Sequence, residues 1–428
     1  MTSQKNESKR SDATLNDASR NDPTRRHVLF AGAGLSVGAL AATGGRAAQA
    51  ADEKPVSDED AGRYGGIKIN VKPGIEAAGP KVPLYRAACV QTVATPAFDS
   101  NGKFRPDGLQ TNVDRVAAWI ERGADEVGAK LYSFSEFCLQ PAPAGAGVEE
   151  WIKGSIEANG PEIEQLGRAA QKANAFVAIN AAERIAAFPG RYFLSGMIIS
   201  PSGDLIVNYR KLNDPTVKTR PGDILPAWLD AFGEDSLFPV ADTEIGVLAS
   251  MVALDVKQPE VMRGFALKGA ELIVNPTASP EFPGAVRPSV STMTRRVRAS
   301  ENMAYVLLSN LGPVGEDETA EVSPRQPSEI IDFRGELMAA AEDGGEGFIT
   351  ATIDIDALRQ ARTGLGSQNT LGALQVPVHR LTYNAAEFAP VGAFTDTPIQ
   401  DASEHDDLLR ETIKSLVDRG VLKAPGVA

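Results

Sequence analysis

From Leu84 onward the chain alternates short apolar runs with amphipathic stretches. Tyr85–Val93 has the length and apolar density of a buried strand. Asn112–Val127 spaces Val113, Val116, Ala117, Trp119 and Ile120 as one helical face, and Lys130–Phe137 is strand-like again. A helix is predicted at about 161–174, followed by a strand at Ala175–Asn180. Tyr192–Ser200 and Leu205–Arg210 flank the turn Pro201-Ser202-Gly203-Asp204, which predicts a β-hairpin. An irregular stretch at about 212–236 follows, and its length points to a functional lid or a partner contact. Next come a strand at Ile245–Leu254, a helix at Pro259–Lys268 and a strand at Glu271–Asn275. Arg296–Asn302 is predicted helical and Ala304–Asn310 extended. Glu329–Phe333, the turn Arg334-Gly335 and Phe348–Ile355 read as a last strand pair. Strands joined both through helices and through hairpins predict a layered α/β sandwich, not a doubly wound sheet.

The flanks differ in kind. Residues 1–26 are polar, and Arg25-Arg26 opens a mild apolar run rich in Gly and Ala that ends near Ala48-Gln49-Ala50. This is the pattern of a twin-arginine export signal over residues 1–50, with a periplasmic or secreted product. The run is short and diluted by Gly32, Gly34, Gly38, Gly44 and Gly45, which argues against a retained membrane anchor. Residues 51–83 read as a linker or arm, 84–390 as the main domain and 391–428 as a tail. The tail carries a charged helix near 404–419 whose face of Leu408, Leu409, Ile413, Leu416 and Val417 is suited to docking on a neighbour.

Charge narrows the partners. With 43 Lys and Arg against 56 Asp and Glu, the chain has a formal charge of −13. Without residues 1–50 that becomes (43 − 7) − (56 − 4) = −16. Neither value offers a footprint for nucleic acid or an anionic membrane. Two cysteines, Cys89 and Cys138, are too few for a disulfide scaffold or a cysteine-based zinc site; outside the cytoplasm a Cys89–Cys138 disulfide is permitted, and two buried free thiols are the favoured reading. Three scattered histidines, His27, His379 and His405, leave no ligand spacing and little material for a Ser-His-Asp triad.

Three segments set a charged or reactive position at the end of an apolar run. In Leu131-Tyr132-Ser133-Phe134-Ser135-Glu136-Phe137, apolar surroundings suit Glu136 to general-base work, although a strand-end glutamate commonly reaches solvent. In Tyr209-Arg210-Lys211-Leu212, Lys211 opens the long loop; in a cleft it would stabilise an oxyanion, on a surface it would be a solvated cap. Residues 246–260 read as strand, sharp elbow and helix, an arrangement that presents a side chain beside backbone N–H groups.

Taken in order, these segments resemble the nitrilase superfamily of carbon–nitrogen hydrolases over roughly residues 84–390. Glu136 falls on that family's general-base glutamate and Lys211 on its catalytic lysine. Asp255 with Pro259-Glu260 and Arg263 matches the region after its nucleophile. Gly269-Ala270-Glu271-Leu272-Ile273, and Arg298-Ala299 with Glu301-Asn302 and Tyr305-Val306, match two further hallmarks. The resemblance implies a four-layer α-β-β-α sandwich that usually dimerises or assembles further. It also implies no metal or organic cofactor, and a small-molecule amide, nitrile or acid as ligand.

One departure changes the functional expectation. The family's nucleophile is a cysteine two residues before the Asp255 position, and here that residue is Ala253. Alanine has no nucleophilic atom, so no covalent acyl intermediate can form on it. A further family glutamate past the lysine has no obvious counterpart, since Asn213–Thr219 offers only Asp214. Cys138 and Ser250 are poorly placed to substitute, being off the elbow. The expectation is therefore a pseudoenzyme that binds a small amide, acid or amine. The alternative is an amidase or nitrilase carrying a Cys→Ala substitution at Ala253.

Overall fold

The computed structural model describes residues 74–75, 78–141, 145–214, 216, 218–279, 290–315 and 327–426. The expected export signal and most of the arm lie outside these residues.

Twelve strands among the described residues form two six-stranded sheets. The first holds β1 (Tyr85–Gln91), β2 (Leu131–Ser133), β3 (Phe176–Glu183), β4 (Phe193–Ile199), β5 (Leu205–Arg210) and β12 (Gly347–Ile353) in the order β12-β1-β2-β3-β4-β5. β1, β2 and β3 run parallel, and the remaining neighbours are antiparallel. The second sheet holds β6 (Ala241–Thr243), β7 (Gly246–Ser250), β8 (Leu272–Thr277), β9 (Tyr305–Asn310), β10 (Glu329–Ile331) and β11 (Leu337–Ala340), ordered β11-β10-β9-β8-β7-β6. Here β7, β8 and β9 are the parallel core.

Helices α1 (Pro106–Glu126) and α3 (Pro161–Ala173) cover the outer face of the first sheet, with the short α2 (Val148–Gly154) between them in sequence. α1 begins with a proline whose missing N–H costs nothing at that position. Its Gly123 lets Tyr132 approach so closely that a Cβ would sit 2.5 Å from the ring. The outer face of the second sheet is covered by α5 (Pro259–Leu267) and α6 (Val290–Asn302), through Val261, Met262, Phe265 and Ala299. Between the sheets, Leu131, Phe176 and Ile198 pack against Leu248, Leu272 and Leu307. The central strands thus have apolar neighbours on both faces, which explains the continuous apolar runs in place of alternation. The four-layer α-β-β-α sandwich expected from the sequence is the fold observed.

Several boundaries differ from the sequence expectation. The stretch at 212–236 is not irregular: it holds a 3-10 turn at Pro221–Ile224, helix α4 (Leu225–Phe232) and a second 3-10 turn at Glu234–Leu237. Pro221 and Pro226 sit in the first turns, and Trp228 is fully buried against Phe188 and Phe193. Glu329–Phe333 and Phe348–Ile355 do not pair. β10 turns at Arg334-Gly335 into the short, half-exposed β11, whereas β12 crosses to the first sheet and pairs with β1. β11 is four residues of Leu, Met and Ala, which favour helix over strand, so it does not stand out as a strand in the sequence. The run at Lys130–Phe137 is extended only over Leu131–Ser133, because the chain turns at Phe137 with φ +60°. Helices α7 (Ile355–Thr363) and α8 (Val376–Ala385) were not expected.

The tail helix is α9 (Ala402–Asp418), and it docks on its own chain. Its buried positions are His405, Thr412 and Leu416, while Leu409 and Ile413 of the expected face are exposed.

Candidate active site

Glu136 lies just beyond β2, where the left-handed Phe137 ends extended pairing. The Phe137 N–H donates to Asn180 Oδ1 at 3.0 Å, and the Glu136 N–H reaches Thr277 O of the opposite sheet at 3.3 Å. One Glu136 oxygen, Oε2, accepts from the Ala278 N–H at 3.1 Å. The other accepts from Lys211 Nζ at 2.9 Å. Lys211 follows β5 and is anchored by its N–H to Leu194 O. Both side chains are buried, with about one-twentieth of their surface exposed. The two polar residues predicted from separate segments are therefore one ion pair, 75 residues apart in sequence.

Asp214 extends the pair, its Oδ2 lying 3.0 Å from Lys211 Nζ. Its Oδ1 accepts from the Thr216 N–H at 3.0 Å and from the Thr216 hydroxyl at 2.5 Å. The one carboxylate within Asn213–Thr219 thus contacts the lysine. Burial opposes charge on Lys211, but Glu136 and Asp214 outweigh it and hold the ammonium above the usual lysine range. Asp214 is likewise buried, yet Lys218 and Lys211 keep its carboxyl well below the ordinary range.

Ala253 opens a 3-10 turn, Ala253–Lys257, between β7 and α5. It has φ +41°, a left-handed conformation that costs a residue with a Cβ about 1 kcal/mol or more. Such strain persists where the surroundings over-determine it, and Asp255 supplies the restraint. Asp255 Oδ2 accepts from the Val252 N–H at 3.0 Å and from the Tyr209 hydroxyl at 2.9 Å. Asp255 Oδ1 accepts from the Asn213 N–H at 2.9 Å, and Asn213 Nδ2 donates to Leu254 O at 3.1 Å. The elbow and the Lys211 segment are thereby stitched together. Ala253 packs in a cluster flanked by Phe137 and Leu212, the immediate neighbours of Glu136 and Lys211.

Cys138 and Ser250 occupy other places. The Cys138 thiol is buried and directed at Asn180 O, 3.5 Å away, and burial pushes it up to about 12. Ser250 is buried on β7 over Gly196, where an added Cβ would meet its hydroxyl at 2.3 Å. Cys89 is also a free, buried thiol. Among the described residues, no group of three or more His, Cys, Asp or Glu is disposed to hold a metal ion.

Lys218 is the site residue that sequence reasoning missed. Its ammonium is 3.5 Å from Asp214 and sits over the rings of Phe137 and Trp151. The available signal was Asp214, Thr216 and Lys218 at two-residue intervals, a pattern that a solvated loop also produces.

The family model described as "Carbon-nitrogen hydrolase" matches residues 86–363. The chain is 28% identical over 215 residues to the "Hydrolase in pqqF 5'region" of Pseudomonas protegens, covering 48% of this chain and 65%, just under two thirds, of that relative. It is 25% identical over 304 residues to an aliphatic nitrilase of Sinorhizobium fredii, covering 65% of this chain and 89% of the nitrilase. Among solved structures, a cysteine-to-alanine mutant of the Nesterenkonia AN1 amidase, from the nitrilase superfamily, superposes with a TM-score of 0.51 at 18% identity. That likeness covers 73% of this chain and 99% of the amidase, and it concerns the fold.

Proposed function

The chain belongs to the carbon-nitrogen hydrolase family, and from that premise we propose that it binds a small amide, nitrile or carboxylic acid without covalent turnover. The observation that carries this reading is the methyl group of Ala253 at the elbow, tied to a buried Glu136–Lys211 pair. A general base and an oxyanion donor are present, and the atom that would attack is missing. In this reading Lys211 and the backbone N–H groups of the elbow hold the ligand's oxygen or nitrogen. Glu136 accepts a hydrogen bond from its amide or acid end. Water activated by Glu136 alone would give at most slow hydrolysis, because losing a nucleophile typically costs several orders of magnitude.

A second reading is favoured by one observation, the φ of +41° at Ala253. A strained elbow serves to present a side chain, and a methyl group makes no use of it. On this reading the protein is an amidase or nitrilase disarmed at one position. With an amide, a cysteine there would be deprotonated by Glu136 and attack the carbonyl carbon while Lys211 stabilises the tetrahedral anion; Glu136 would return the proton to the nitrogen, ammonia or an amine would leave, and water would then hydrolyse the thioester to the acid.

Ammonia release from a panel of small amides and nitriles, with the chain and its Ala253→Cys variant, separates the readings. A silent parent with a fast variant supports the disarmed hydrolase. Silence from both, with thermal stabilisation of the parent by a panel member, supports the binding protein. Turnover by the parent as fast as that of the Ala253→Cys variant would overturn both.

Two properties complete the proposal. Export by the twin-arginine route rests on Arg25-Arg26 and the mild apolar run after them. It is tested by replacing both arginines with lysine and following the product's compartment. Homodimer or higher assembly rests on exposed Val290, Met293 and Val297 of α6 and Val378 and Leu381 of α8. Light scattering on the purified protein tests it.

A further inference from the structure

Four buried charges alternate in sign: Glu136, Lys211, Asp214 and Lys218. Successive distances are 2.9, 3.0 and 3.5 Å. Two of these residues lie in the segments read as catalytic, and the third contacts the catalytic lysine. The fourth has no role in the reaction outlined above. A lysine that merely anchored a loop would extend its four-carbon stem to solvent, where its charge costs nothing. Lys218 does the reverse. Its side chain is buried, its Nζ donates to the Thr216 hydroxyl at 2.8 Å, and the ring centroids of Phe137 and Trp151 lie 5.4 and 6.0 Å away. The next residue, Thr219, fixes the backbone by donating to Tyr192 O at 3.0 Å.

On the reading that Glu136, Lys211 and position 253 form one site, we infer that Lys218 is a positioning residue that acts on that site through Asp214. With Lys218 in place the four charges sum to zero, and Lys211 stands midway between two carboxylates. Without it, Asp214 has Lys211 as its one remaining cation, the cluster carries a net negative charge, and Lys211 is drawn from Glu136 towards Asp214. An anion forming at position 253 would then meet a more negative site. The charged and titratable groups facing Lys218 are Asp214, Lys211 and Glu136; Asp255 lies behind Lys211, and the Tyr192 phenol, stacked on Trp151, faces Asp214.

The test uses the full chain with Ala253→Cys and needs no turnover. Alkylation of the new thiol by iodoacetamide, followed against pH, reports the ionisation of a group at position 253. Adding Lys218→Met, which keeps the stem and removes the charge, should raise the midpoint by about half a unit to one unit. Adding Lys218→Arg should leave the midpoint near that of Ala253→Cys alone. A Met variant that folds normally with an unmoved midpoint overturns the inference, as does an Arg variant shifted as far as the Met variant. If Lys218→Met does not fold, Lys218→Gln, which retains a donor for Thr216, carries the same expectation. The underlying site reading has its own control: Glu136→Gln in the Ala253→Cys chain must also move the midpoint. If it does not, that reading fails independently of Lys218.

Discussion

The Asn213 N–H donates to the Asp255 carboxylate at 2.9 Å, so the residue two beyond Lys211 is tied to the turn that carries Ala253. Asp255 is fully buried, and the Tyr209 hydroxyl and Val252 N–H converge on its other oxygen. Position 253 and Lys211 are held by one carboxylate, which makes Asp255 the structural hub of the site.

That hub has a pH signature. Burial lifts the Asp255 carboxyl to about 6, against about 3.9 in an unfolded chain. Between these values the folded state keeps a proton that the unfolded state has released. Its contribution to stability is therefore complete below about pH 4 and is lost as pH rises through about 6. Asp214 acts in the opposite sense, losing its contribution on acidification, and cancels when two variants are compared. Urea unfolding of the parent and Asp255→Asn across this range should give a stability difference that shifts against the parent by on the order of 3 kcal/mol and then levels off. A difference independent of pH would mean that Asp255 is ionised throughout.

Next to the site, Glu183 accepts from Arg210 Nε at 2.9 Å and Nη2 at 2.7 Å, from Asn208 Nδ2 at 3.0 Å and from the Ser195 hydroxyl at 2.5 Å. The planar fork of Arg210 matches this buried carboxylate in a way that an ammonium cannot. Arg210→Lys should cost about 1–2 kcal/mol in urea unfolding. Arg210→Ala should cost about 3–5 kcal/mol, because Glu183 is left charged and buried with its partner gone. An Arg210→Lys variant as stable as the parent would show that the paired charge, and not the fork, is what matters, whereas equal losses in the two variants would show that charge without the fork contributes nothing.

The sequence made legible those features that repeat locally. The helical faces of α1 and α3, the hairpin around Pro201-Ser202-Gly203-Asp204 and the positions of Glu136 and Lys211 all came from short-range pattern. Contacts made over long sequence distances did not. Nothing near Phe348 says that β12 pairs with β1, because Tyr85↔Ile353 is a register set by the closed sandwich. The stretch at 212–236 read as irregular because the burial of its Trp228 depends on Phe188 and Phe193, 40 and 35 residues earlier. Lys218 was illegible for the same reason: its partners Phe137 and Trp151 come from another part of the chain.

The tail lies outside the matched family segment, yet it is fastened to the stretch that follows Lys218. Gly392 and Phe394 donate their N–H groups to Gly222 O and Asp223 O at 2.8 and 2.9 Å. Arg191 Nη2 donates to Phe394 O and Thr395 O, and His405 Nδ1 lies 2.6 Å from Thr216 O. Arg191→Met removes the fork that clamps this strap. Hydrogen exchange at Gly392 and Phe394 should accelerate by about ten- to a hundredfold, with amides of β3 and β4 unchanged. Acceleration throughout the sheets would instead mean that Arg191 supports global stability.

Ala253 itself offers a prediction whose sign is opposite to the usual one. Replacing alanine by glycine inside a helical turn ordinarily costs about 0.5–1 kcal/mol in backbone entropy. At φ +41° the alanine Cβ already carries a conformational penalty that glycine does not. The two effects are of similar size and oppose each other, so Ala253→Gly should be neutral or stabilising by up to about 1 kcal/mol. Ala253→Val, with a branched Cβ in the same conformation and a buried setting, should destabilise by about 2 kcal/mol or more. Thermal unfolding of the three chains decides the matter. A glycine variant destabilised as an ordinary helical alanine would be means that the turn is relaxed in solution, and the elbow then has no stored strain with which to present a side chain.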